Sequence, residues 1–210
     1  MKKIAVLLII TFALLTTCKK DVYNPDICFQ ENVLPIFVSN CSMGDCHNSQ
    51  HHKEGLDLTN YDGIMKGVKA NHPMLSKVYT TIRGNNPSMP TGGIPKLGTR
   101  EVNIIKTWIN MGAPNSSNCK GCDTTQFAFN ARIKPLMDNW CVGCHSATNS
   151  GGGYDLSSYN GVVASVTANR LLGTLQHTAG YSPMPKNTSP LSDCDITAVR
   201  KWIEAGHPNN

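Results

Sequence analysis

Two stretches of this 210-residue chain, 29–114 and 129–208, carry the same landmark residues in the same order. Phe29, Pro35 and Cys41 match Phe129, Pro135 and Cys141 at an offset of 100. Cys46-His47 matches Cys144-His145, and Asp57-Leu58-Thr59-Asn60-Tyr61 matches Asp155-Leu156-Ser157-Ser158-Tyr159, both at an offset of 98. Met89-Pro90 matches Met184-Pro185 at 95, and Trp108-Ile109, Gly112 and Pro114 match Trp202-Ile203, Gly206 and Pro208 at 94. Preserved order with a slowly drifting offset indicates duplication rather than chance. The fold must therefore be solved twice, by a unit of about 80–90 residues that is small for a self-sufficient core. The polar segment 115–126 reads as the linker.

Each unit predicts mostly helix with a long irregular middle. The last helix is the clearest: Val102, Ile105, Trp108 and Ile109 share one face, as do Ile196, Val199, Trp202 and Ile203. Ser192 with Asp195 resembles a capping box. Gly112 and Gly206 follow the last turns, with Pro114 and Pro208 just beyond, which is stop-signal chemistry. A first helix runs into each Cys-His motif, kinked or shortened by Pro35 and Pro135. Between His47 and Trp108 the sequence is rich in Gly, Pro, Asn and Ser. So long an irregular stretch in so small a unit calls for something to wrap around.

The N-terminus points to the cell envelope. Lys2 and Lys3 precede an apolar run from Ile4 to Leu15, too short to span a bilayer. Leu15-Thr16-Thr17-Cys18 then resembles a bacterial lipobox, with Cys18 as the lipidated residue; a plain secretory signal with an accidental cysteine is the alternative. Residues 1–17 are then the signal and 18–27 a tether. Their removal takes away two lysines and no acid and lowers the formal charge from +5 to +3. So small an excess, on an exported chain, argues against nucleic acid as a partner.

Nine cysteines fit an oxidising compartment or a cofactor role better than a reduced cytosolic enzyme. Cys141-Val142-Gly143-Cys144-His145 is a C-x-x-C-H sequence, the attachment signature of c-type haem, although half a zinc site or a redox dithiol can share it. Cys41-Ser42-Met43-Gly44-Asp45-Cys46-His47 is the same motif with two extra residues, which must bulge, helped by Gly44. Its place in the repeat makes it the first haem site. His47 and His145 are the proximal ligand candidates. Met89 and Met184 are the distal ones, since each sits in a proline-rich loop at a matching position rather than on an apolar helix face. His51, His52, His72, His177 and His207 do not recur and read as surface or incidental histidines. Trp108 and Trp202 read as packing residues.

Beyond Cys18 and the four haem cysteines remain Cys28, Cys119, Cys122 and Cys194. An even remainder reads as two disulfides. Pairing Cys28 with Cys119 and Cys122 with Cys194 staples each unit, 28–119 and 120–210. The competing arrangement is a redox dithiol at Cys119-Lys120-Gly121-Cys122.

Together with Leu34-Pro35-Ile36-Phe37, Gly55-Leu56-Asp57-Leu58, Tyr154-Asp155-Leu156 and the Trp-Ile-x-x-Gly ends, these motifs resemble c-type cytochrome domains of the planctomycete type, also found in Bacteroidota lipoproteins. The resemblance covers nearly the whole mature chain. It implies an all-α fold of two tandem small cytochrome c-like domains, two haem c groups with His/Met iron, and no enzyme activity. The implied role is electron transfer between redox partner proteins of the envelope. The implied location is the periplasm or cell surface, with the protein anchored to the outer membrane through Cys18. A haem-bearing accessory or sensory domain of a larger complex is the alternative, and a dihaem peroxidase, which needs one iron with a displaceable distal ligand, is a more distant one.

Overall fold

The computed structural model describes residues 27–117, 119 and 121–210. The signal segment, Cys18 and most of the tether lie outside these residues. The fold is largely helical. In the first repeat the order is α1 (Leu34–Cys41), α2 (Tyr61–Met65), α3 (Lys77–Thr80) and α4 (Thr99–Asn110). The second gives α5 (Lys134–Trp140), α6 (Tyr159–Thr167), α7 (Leu171–Leu175) and α8 (Asp193–Glu204). Among the described residues the exception to all-α is a small antiparallel pair, β1 (His145–Ser146) and β2 (Asn149–Ser150), with His145 opposite Ser150. A single bridge between His47 and His52 is its counterpart in the first repeat.

Both first helices are entered through a π-helical turn, Phe29–Val33 before α1 and Phe129–Ile133 before α5. Pro35 and Pro135 fall in the first turn of each helix. There the missing N–H has no intrahelical partner to lose, so the prolines shape the entry and do not kink the helix.

One aromatic triad organises each core. Phe29 packs on Tyr61 and Trp108 at 5.1 and 5.4 Å between ring centroids, and Phe129 packs on Tyr159 and Trp202 at 5.0 and 5.5 Å. Both tryptophans are fully buried, so both indole N–H groups need acceptors. They find them in the Pro114 and Pro208 carbonyls at 3.0 and 2.9 Å. The tyrosine hydroxyls donate to the Ala113 and His207 carbonyls, both at 2.8 Å. The glycine just before each of these residues, Gly112 at φ 90° and Gly206 at φ 83°, lets the chain reverse in the left-handed region and present those carbonyls. At the start of α8, Ser192 Oγ accepts from the Asp195 amide at 3.1 Å and donates to the Asp195 carboxylate at 2.7 Å. The cap is real, but α4 begins on Gly98 without a side-chain cap.

Cys28 is joined to Cys119 and Cys122 to Cys194. The Cys119-x-x-Cys122 dithiol is thereby overturned, because its two sulfurs go to different partners. Each repeat is also closed by backbone. Gln30 N–H donates to the Ser116 carbonyl at 3.0 Å, and Asn130 N–H to the Asn210 carbonyl at 2.7 Å.

The repeats meet along α1 and α5. Ser39 Oγ donates to the Asn139 carbonyl at 2.8 Å, and Trp140 packs on both cores. Gly143 approaches so closely that a Cβ there would lie 2.3 Å from the Ser39 carbonyl oxygen. Both Cys-His motifs thus leave the C-terminal ends of two helices packed on each other.

Candidate cofactor-binding site

A cavity of about 240 Å³ lies beside α1. Cys41, Cys46, His47 and Met89, four residues spread over 48 positions of sequence, all line it. Phe37, Leu56, Leu58, Val78 and Ile82 supply apolar walls. Lys77 and Glu54 also line it and form an exposed ion pair at 3.1 Å.

The two extra residues of the first motif are accommodated by Asn48, which is 1% exposed. Its amide donates to the Ser42 and Gly44 carbonyls at 3.0 and 2.6 Å, and its Oδ1 accepts from the Gln50 and His51 amides at 3.0 and 2.9 Å. Gly44 takes φ 49°, as a bulge needs. Despite the insertion His47 N–H still reaches the Cys41 carbonyl at 3.1 Å, matching His145 N–H to Cys141 at 2.9 Å. The insertion loops outward and the ends of the motif keep their register.

The Asp-Leu motif downstream turns out to be the brace of the histidine. Leu58 N–H donates to the His47 carbonyl at 2.8 Å, and Leu156 N–H to that of His145 at 2.7 Å. Each motif is locked by its own aspartate: Asp57 accepts from Thr59 N and Oγ1, and Asp155 from Ser157 N and Oγ. Gly63 and Gly161 lie so close behind that a Cβ would fall 1.9 and 1.6 Å from the Asp57 and Asp155 carbonyl oxygens. Nothing in the local periodicity shows this, since the bonds run to distant backbone.

His47 Nδ1 donates to the Lys53 carbonyl at 2.8 Å, which fixes the tautomer and leaves Nε2 with its lone pair. His145 Nδ1 is buried and has no hydrogen-bond partner among the described residues. Cys41, Cys46, Cys141 and Cys144 form no disulfide. Burial pushes the Cys41 thiol up to about 12, with Cys46 adding to the rise. Cys141 is likewise pushed up to about 12, by burial, Cys144 and Asp138 in that order. The Cys144 thiol is raised by burial, against an opposing pull from Lys186.

Both Met–Pro peptide bonds are cis, and both methionine amides donate to a threonine carbonyl, Met89 to Thr81 and Met184 to Thr174, each at 3.0 Å. His177 is not incidental: its Nε2 is 3.1 Å from the Met184 carbonyl oxygen. His207 serves the core, its carbonyl taking Tyr159 and its ring lying 5.9 Å from Trp202. His51 makes a 3.5 Å pair with Asp45 on the surface.

Among the described residues no cluster of three or more His, Cys, Asp or Glu side chains is arranged to hold a bare metal ion, and no helix is long and apolar enough to cross a membrane. No family model, curated protein or solved structure matches the chain.

Proposed function

We propose that the chain is a membrane-anchored dihaem c-type cytochrome that passes electrons between redox partners in the cell envelope. The observation that carries this reading is the first cavity, where two thiols, an imidazole and a thioether line one largely apolar space. That donor set suits a flat apolar macrocycle held at its edge and ligated on two faces, and the residues present fit it. Cys41 and Cys46 would hold one group with His47 and Met89 as ligands; Cys141, Cys144, His145 and Met184 would hold the other. Haem supplies one-electron exchange, and methionine ligation raises its potential.

The chain's own part is to fix those ligands. The Leu58 and Leu156 amides hold the histidine backbones, the threonine carbonyls hold the methionine loops, and apolar side chains wall much of the first cavity. Two disulfides formed within the chain fit an oxidising compartment. Lipid at Cys18 would then tether the protein to the outer membrane.

The test is the intact chain purified from membranes. Two haems should survive denaturation, by mass and by an alkaline pyridine spectrum. A weak far-red band of thioether-ligated ferric iron should fall by half in Met89→His and in Met184→His and vanish in the double variant. Absence of covalent haem would overturn the proposal; one haem per chain would remove the Cys41–Cys46 site from it.

A further inference from the structure

We infer that His177 is a positioning residue for Met184, on the premise that Met184 ligates iron as proposed above. His177 Nε2 lies 3.1 Å from the Met184 carbonyl oxygen. A carbonyl can only accept, so Nε2 carries the hydrogen, and a nitrogen so engaged has no lone pair to offer a metal. His177 is therefore no rival ligand through that atom. It is a clamp on the residue that ligates.

The clamp closes on both sides of Met184. The Met184 amide donates to the Thr174 carbonyl at 3.0 Å, and the same carbonyl takes the His177 amide at 3.3 Å. One residue is thus held at its N–H by α7 and at its C=O by the imidazole just beyond α7. The intervening loop is tied to the same helix: Thr178 N–H reaches the Gly173 carbonyl at 3.0 Å, and the Tyr181 ring fills the space a Gly173 side chain would need.

The sister repeat shows what the side chain is for. Three residues past Thr81, whose carbonyl takes the Met89 amide, stands Gly84 at φ 84°; three past Thr174 stands His177 at φ 53°. The turn needs the left-handed region in both repeats, and glycine is its natural occupant. The second repeat keeps a Cβ in that strained conformation at a place from which an imidazole reaches Met184. The first repeat uses a different device: Lys96 Nζ donates to the carbonyl of Pro90, one residue past Met89. An outlier of this kind points to a role for the side chain.

His177→Gly separates positioning from folding, because glycine relieves the backbone while deleting the clamp. The holoprotein should keep two haems and unfold close to the wild-type temperature, since relief of the left-handed backbone offsets the lost hydrogen bond. Its second site alone should loosen: ferric protein should take up one cyanide per chain about fivefold faster than wild type, the factor one ordinary hydrogen bond represents. The far-red band should weaken by at most half, and the lower uptake rate should return in His177→Gln, whose amide N–H can reach the same carbonyl. Two haems with a band and cyanide kinetics identical to wild type in His177→Gly would overturn the positioning role and leave the dihaem proposal standing. A wild-type chain with two haems but a band from only the Met89 site would overturn Met184 ligation and this inference with it.

Discussion

Replacing Gly143 with alanine puts a methyl group into the contact between the two repeats. Its φ is not in the left-handed region, so the backbone itself accepts alanine. The added Cβ would lie 2.3 Å from the Ser39 carbonyl oxygen, 2.9 Å from its carbonyl carbon and 2.8 Å from its Cβ. Ordinary contact begins at 3.4 Å, so α5 and its Cys-His motif must back away from α1 by about 1 Å. Ser39 is 4% exposed and cannot swing clear. Its 2.8 Å bond to the Asn139 carbonyl would stretch beyond hydrogen-bonding range. Overpacking costs about 1–3 kcal/mol and the lost bond about 1 kcal/mol, against about 0.4–1 kcal/mol regained from a stiffer unfolded chain. The net is about 2 kcal/mol, or about 4–8 °C in thermal midpoint for a chain of this size. Thermal unfolding of the full chain measures it. Ser39→Ala alone should cost about 1 kcal/mol, and the double variant should fall short of the sum by about the same amount, since each change breaks one shared bond. A Gly143→Ala protein as stable as wild type, or strict additivity, would refute the reasoning.

The disulfide between Cys122 and Cys194 closes 72 residues. Replacing both by serine should cost about 4 kcal/mol and about 8–16 °C, read by differential scanning calorimetry; a loss under about 2 °C would contradict it. Asp155 titrates below the usual carboxylate range because the Ser157 hydroxyl, then its amide, donate to it. A lowered folded pKa means the unfolded chain binds more protons, so this stabilisation is complete above about pH 4 and is lost as pH falls through the lowered value. Ser157→Ala should therefore destabilise at neutral pH, with the gap to wild type closing as pH falls through the lowered carboxylate value. A gap that stays constant across that range would exclude the carboxylate as its source.

What the sequence shows plainly is whatever recurs or follows a local rule. The duplication, the final helices and the Cys-His motifs are visible because spacing encodes them, whereas the Cys28–Cys119 and Cys122–Cys194 pairings are favoured by the unit boundaries and separated from the Cys119–Cys122 dithiol only by the structure. The bracing is not. Asn48 holds the bulge of the first motif through four bonds to loop backbone, and one buried asparagine has no periodicity to betray it. The matched Asp-Leu segments are visible as a repeat, yet their service to the histidine carbonyls depends on chain segments eleven residues apart coming together. His177 looks incidental because it fails to recur, and that test finds only what both repeats share. The signal available was glycine in the sister repeat, legible once the Thr81 and Thr174 contacts align the two turns.

The parts that recur and the parts that do not divide by task. The aromatic triads, the braced histidines and the cis Met–Pro turns are the same in both halves, and together they build the frame around the ligand candidates. The contacts that adjust those ligands differ. His47 Nδ1 donates to the Lys53 carbonyl, whereas the matching position beside His145 is Gly151, whose carbonyl does not take that hydrogen. A proximal imidazole that donates its second hydrogen is the more basic ligand and favours ferric iron. The methionine loops are held by a lysine in one half and a histidine in the other. On the dihaem proposal the two sites then share a frame and differ in the groups that hold their ligands. The aromatic triads and the histidine braces are what both halves need in order to fold, which is why they recur while the groups around the ligands are free to diverge.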